Sequence, residues 1–145
     1  MTGSILRMRV CALSLALALA SVAVHADVVA VVSVKSPVMA LSKTQIADLF
    51  LGKAIRFPDG ALAMPIDQEE GTPARDEFYA TYAGKSPAQV REHWAKINFT
   101  GRGQPPPTAS DEAQIKRLLA ANPQAIAYLD RKAVDDSVRV LAAGK

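Results

Sequence analysis

The chain has 145 residues with 17 Lys and Arg against 14 Asp and Glu, a formal charge of +3. That length suits one domain and no more. A single cysteine excludes a disulfide framework and a cysteine-ligated metal site.

The first 26 residues read as a secretory signal peptide. Arg7 and Arg9 give a basic start without an acid, Val10–Val24 is an apolar run of 15 residues, and Val24-His25-Ala26 places small residues at peptidase positions. The run is shorter than the roughly 20 residues a membrane-spanning helix needs. Cleavage is expected before Asp27, leaving residues 27–145, 119 in all, as one domain in the bacterial periplasm. Arg7 and Arg9 leave with the signal, so 15 basic residues face 14 acidic ones, a balance of +1. The support for a nucleic-acid partner goes with them. Cys11 lies inside the signal, away from the cleavage point, so it is no lipid-attachment site and the mature chain has no thiol. A domain of this size can bury roughly 65% of its unfolded surface, enough to hold without disulfides.

Val28–Val34 is an almost continuous β-branched run, expected of a strand covered on both faces. Ser42-Lys43-Thr44-Gln45 is a capping box opening a helix whose buried stripe is Ile46, Leu49 and Phe50, with Gly52 as its stop. Phe57-Pro58-Asp59-Gly60 is a turn, and Ala61–Ile66 a short strand that Pro65 confines to an edge. Thr72-Pro73 begins a second helix with Phe78 and Tyr82 on one face. Ser86-Pro87-Ala88-Gln89 begins a third, with Val90, Trp94 and Ile97 inward. A loop over Phe99–Thr108 follows, then a helix capped by Ser110 with Ile115, Leu118 and Leu119 inward, ending near Asn122-Pro123. Ala125–Leu129 reads as a second two-sided strand and Ser137–Leu141 as an edge strand. The sequence predicts a three-layer α/β domain with a mixed, mostly parallel sheet, its core including Phe50, Phe78, Trp94, Ile97 and Tyr128.

One helix start departs from the others. Where two of them carry Gln three residues after the cap, Thr72-Pro73-Ala74 is followed by Arg75. A cation in the first turn opposes the helix dipole by roughly 0.3–1 kcal/mol. An anion bound there reverses the sign, held by the N–H groups of Ala74 and Arg75, the Thr72 hydroxyl and the guanidinium. The alternative is an ordinary Thr cap with Arg75 turned to Asp76 or Glu69. Asp67, Glu69 and Glu70 stand just before it; ionised and unpaired they repel an anion, whereas one of them can accept a hydrogen bond from a protonated oxyanion. As a divalent-metal site Asp-x-Glu-Glu is conceivable but lacks the ligand ladder and central Gly of a calcium loop. The commonest fate of such a run is a solvated acidic turn at the surface. Gly101 and Arg102, in Thr100-Gly101-Arg102-Gly103-Gln104, offer a second anion contact through a backbone nest, or form a plain loop before Pro105–Pro107. His93 is the only His after the signal, with no nucleophile motif beside it, so no enzyme is expected.

From Leu41 onward the chain resembles the phosphate-binding protein of the periplasmic phosphate ABC transporter (PstS). Ala47–Lys53 (ADLFLGK), Glu70–Phe78 (EGTPARDEF), Thr100–Gln104 (TGRGQ) and Asn122–Asp130 (NPQAIAYLD) carry the resemblance, in that order. It implies one α/β lobe of a type II periplasmic binding protein, in a short single-lobe form. In the family's R-x-D-G-S-G-T anion motif the Asp, first Gly and Ser fall on Glu70, Gly71 and Thr72. Gln68 stands at the leading Arg, Pro73 at the second Gly and Ala74 at the Thr. The expected ligand set is Gln68, Glu70, Gly71, Thr72, Ala74 and Arg75, with Gly101 and Arg102. The expected function is a secreted phosphate- or oxyanion-binding module of phosphate transport, binding weakly, with no cofactor. The alternative is an interaction domain that kept the lobe, lost the ligand and binds a periplasmic or inner-membrane protein. Either leaves room for an oligomer.

Overall fold

The computed structural model describes residues 27–144, so the expected signal peptide lies outside the described residues. The main sheet has four strands in the order β3-β6-β1-β7: β3 Met64–Pro65, β6 Ala125–Asp130, β1 Val28–Ser33 and β7 Val138–Val140. β1 runs antiparallel to both β6 (Val28 opposite Asp130, Val32 opposite Ile126) and β7, while β3 is parallel to β6. Three strands therefore share one direction and β1 is set against them, so the sheet is mixed, as expected, and not strictly parallel. β1 is separated from β6 by several helices and short strands, so no single right-handed crossover dictates its direction. Two further pairs, both parallel, join β2 (Ala40–Ser42) to β8 (Ala142–Gly144) and β4 (Asp67–Gln68) to β5 (Thr108–Ala109).

β1 is buried along its whole length. Its alternate residues feed two cores, as a strand's period of two requires. Val28, Ala30 and Val32, with Ile126 and Tyr128 of β6, meet α1 (Lys43–Phe50), α2 (Pro73–Phe78) and α3 (Pro87–Thr100) on one face. Val29 and Val31, with Ala125, Ala127 and Leu129, meet Ile115 and Leu119 of α4 (Glu112–Ala121) on the other. This is a three-layer α/β arrangement. The first core centres on Phe78, which stacks on Tyr128 at 4.0 Å and meets Phe50 edge-on at 4.7 Å. Burial of one such ring stabilises by about 1.5–3 kcal/mol.

The capping boxes Ser42/Gln45 and Ser86/Gln89 form as expected. α4 is capped by Asp111, not Ser110: the Asp111 carboxylate accepts the Gln114 N–H at 2.7 Å, while Ser110 bonds the Gln114 side chain. Only Met64–Pro65 of Ala61–Ile66 joins the main sheet, and Pro65 lies in its edge strand as predicted. Trp94 is buried and Ile97 only partly so. α2 continues into a π-helical turn, Tyr79–Ala83, closed by Gly84 at φ +62°.

Candidate functional site

After β3 the chain leaves the main sheet, and β4 pairs with β5 instead. That places Asp67 beneath α2, at 2% exposure. Its carboxylate accepts from the Tyr79 hydroxyl at 2.6 Å, the Tyr128 hydroxyl at 2.5 Å and the Gln68 N–H at 2.8 Å. These donors, with Arg75 Nε at 3.5 Å, compensate a carboxylate whose unpaired burial would be prohibitive. Burial first, and then the adjacent Asp67 charge, push both phenols well above their ordinary range, so they remain donors. The sequence reading of Asp67 as one of three surface acids is thus corrected. The π turn sets Tyr79 and Tyr82 for use: the Tyr82 hydroxyl accepts the Ala30 N–H of β1 at 3.2 Å.

Thr72 occupies the N-cap position of α2 with extended backbone, but its side chain caps nothing; its hydroxyl donates to the Glu69 carbonyl at 3.0 Å. Gly71, at φ +91°, turns the chain into the helix. Pro73 has no N–H, and first-turn position leaves the N–H groups of Ala74 and Arg75 without an intrahelical acceptor. The Arg75 side chain turns to neither Asp76 nor Glu69. It lies over the Tyr79 ring, 5.4 Å from its centre, with Nε near Asp67 but buried without a hydrogen-bond partner. Asp67 therefore supplies a structural reason for the first-turn cation.

Beside Arg75 opens a cleft of about 470 Å³ lined by Glu70, Arg75, Arg91, Trp94, Asn98 and Thr108, with Ala95 and Pro105. Glu70 and Arg91 form an ion pair at 2.5 Å, both side chains half exposed. Such a pair is worth about 0–1 kcal/mol. No group of three or more acidic, His or Cys side chains among the described residues is arranged to hold a metal ion.

Of the expected ligand set, Glu70 and Arg75 line the cleft. Gly71, Thr72 and Ala74 form the helix start beside them. Gln68 turns away: its Nε2 donates to the Tyr128 carbonyl at 3.0 Å. Gly101 and Arg102 form no free nest. Gly101 closes α3 at φ +67°, its N–H bonded to Asn98 O and that of Arg102 to Ile97 O. Arg91, Asn98 and Thr108 were not singled out in the sequence. Arg91, Trp94 and Asn98 at i, i+3 and i+7 of α3 share one helix face, a periodicity that reads as core until its polar members are placed. His93 Nε2 lies 2.7 Å from the Leu51 carbonyl at the end of α1, where it must carry the proton and donate.

Three of the solved structures that share this fold have TM-scores of 0.58–0.61. They are a protein from Clostridium perfringens assigned as a phosphate ABC transporter substrate-binding protein, with bound phosphate (24% identity, TM-score 0.61), an ABC-type phosphate transport receptor from Vibrio cholerae (17%, 0.61) and PstS from Borrelia burgdorferi (8%, 0.58). Each match covers 79% of this chain, but only 43%, 44% and 46% of the respective solved chains. The chain thus spans less than half the length of these proteins. No protein-family model matches it, and no curated protein sequence does.

Proposed function

We propose that this chain is a periplasmic, non-enzymatic oxyanion-binding module, with inorganic phosphate its leading ligand and phosphate ABC transport its setting. The observation that carries the reading is Arg75: a mostly buried side chain, its Nε held against Asp67, on the wall of a cleft that also takes Arg91, Asn98 and Thr108. The α2 start beside it supplies the Ala74 and Arg75 N–H groups and the positive helix end. The shared fold with phosphate transport proteins supports the same ligand class. Engagement of His93 with a backbone carbonyl supports a non-catalytic role.

A site built from this lobe alone leaves its ligand open to water on one side. Charge-assisted hydrogen bonds then act against high dielectric and salt screening. A dissociation constant on the order of millimolar follows, equivalent to about 4 kcal/mol. Calorimetric titration of residues 27–145 with phosphate and sulfate tests this; an absence of heat at tens of millimolar would sink it.

A second reading, a ligand-free interaction domain, is favoured by the retreat of Gln68 from the cleft and by exposed Ile55 and Met64 beside an apolar groove of about 340 Å³. It takes the first reading's place if the titration is silent.

A further inference from the structure

We infer that Arg91 is the second cation of the anion site, and that Glu70 is a stand-in carboxylate which the bound anion displaces from it. The inference rests on the oxyanion reading above and names the residues that complete it.

Arg75 comes from α2 and Arg91 from α3, yet both line one cleft. Their present partners differ in kind. Asp67, behind Arg75, is buried and locked by two tyrosine hydroxyls and a backbone N–H, so it cannot leave. Glu70 is half exposed, and Arg91 is its one ion-pair partner among the described residues. Its Oε1 holds the Arg91 Nη1 donor that an oxyanion would take, because carboxylate and phosphate oxygens are like acceptors for a guanidinium. Glu70 directly precedes Gly71, whose positive φ marks a turn rather than a helix or strand, so its side chain has solvent to swing into. Breaking a half-exposed pair removes little stability, and the released carboxylate regains hydration. The free site is thereby close to neutral, with Asp67 against Arg75 and Glu70 against Arg91. Anion entry exchanges one carboxylate for another oxyanion on the same guanidinium. Asn98 and Thr108, on the same walls, provide neutral donors to oxygens the two arginines do not reach. The ligand class this arrangement fits is a tetrahedral oxyanion with at least two unprotonated oxygens, inorganic phosphate or sulfate being the simplest.

The arrangement opposes the other role open to Glu70, that of hydrogen-bond acceptor for a protonated oxyanion. The two roles predict opposite signs.

The test is phosphate titration, by calorimetry and by NMR, of residues 27–145 and three variants: Glu70→Gln, Arg91→Gln and Glu69→Gln. Circular dichroism first establishes that each is folded, as expected for exposed positions. Glu70→Gln should tighten phosphate by about fivefold and Arg91→Gln weaken it by about tenfold, the size of one charge-assisted hydrogen bond. Glu69→Gln removes the same charge one residue away without freeing Arg91, and should change affinity by less than about twofold at physiological salt. Equal tightening by Glu69→Gln would assign the effect to long-range charge and overturn the exchange. Weakening by Glu70→Gln would make Glu70 a ligand acceptor and overturn it likewise. If wild type binds and Arg91→Gln binds equally well, Arg91 is no part of the site, while the oxyanion reading stands. Silence of wild type and of Glu70→Gln at tens of millimolar overturns both.

Discussion

The Tyr128 hydroxyl on β6 donates to the Asp67 carboxylate on β4, across 61 positions of sequence. Tyr79 donates to the other carboxylate oxygen from the π turn, so three elements converge on one buried acid. Asp67→Ala should therefore cost about 3–5 kcal/mol, because it leaves two phenol donors and the Arg75 charge without their partner. Asp67→Asn keeps one acceptor oxygen and should cost about 1–3 kcal/mol. Urea unfolding followed by circular dichroism gives both values; a loss below about 0.5 kcal/mol for Ala would remove Asp67 from the framework of the site.

The same convergence sets an alkaline limit. Tyr79 and Tyr128 have folded pKa values raised by burial and by Asp67, against an unfolded value of 10.0. The folded state holds those protons more tightly, so its stability is complete below pH 10 and is lost as pH rises above it. Phenolate absorbance from these two residues should appear together with loss of the far-ultraviolet signal. Phenolate formation by either residue while the fold is intact would contradict their burial.

Gly52 and Trp94 form a second close relationship. Gly52 sits at φ +70°, and a Cβ there would come within 3.0 Å of the Trp94 ring edge. Gly52→Ala should cost about 1–2 kcal/mol from the left-handed backbone, with a further penalty for displacing the indole. Trp94→Ala should cost about 3–5 kcal/mol. The double variant should lose less than the sum, since removing the ring removes the clash. Trp94 is the sole tryptophan, so its fluorescence reports directly on the displacement.

How much of this was legible follows the range of the interactions. β1 and β6 declare themselves because a strand covered on both faces needs continuous apolar residues. The boxes at Ser42 and Ser86 are complete within four residues, and both form. At Ser110-Asp111 two adjacent residues can each cap, and only the backbone decides that Asp111 reaches Gln114 N–H. The pairing of β4 with β5 involves two residues on each side, too short for any periodicity. In the site, Arg75 was visible as a charge at the wrong end of a helix. Asp67 was not, since its burial is made by tyrosines 12 and 61 residues away. Arg91 was hidden for the opposite reason: a polar residue on an amphipathic helix reads as solvated surface until its neighbours are placed.

The export reading makes its own prediction. Protein recovered from the periplasm should begin at Asp27 by mass spectrometry. Asp27 then forms the first ion pair of the fold, its side chain meeting Arg131 at 2.5 Å while its carbonyl accepts the Arg131 N–H. An intact form starting at Met1 and retained in the membrane would contradict cleavage.

Arg75→Gln separates the two sides of the central reading. Judged on the helix dipole alone, the substitution would stabilise the free protein by roughly 0.3–1 kcal/mol. Asp67 reverses that sign, because the buried carboxylate loses its cation and the Tyr79 ring loses the guanidinium above it. Nε makes no hydrogen bond at 3.5 Å, so the contact consists of charge attraction and the guanidinium over the ring, together about 1.5–3 kcal/mol in this desolvated setting. The net expectation is a loss of about 1–2 kcal/mol in the absence of anion, the contact outweighing the dipole. Phosphate binding should vanish in the same variant. Arg75→Lys should restore part of the stability and little of the binding, since an ammonium keeps the charge without the planar fork. Amide shifts of Gly71, Thr72, Ala74 and Arg75 during phosphate titration locate the anion residue by residue. Wild-type amides there that stay unmoved at tens of millimolar phosphate would remove the site from the α2 start, whatever Arg75→Gln does to stability.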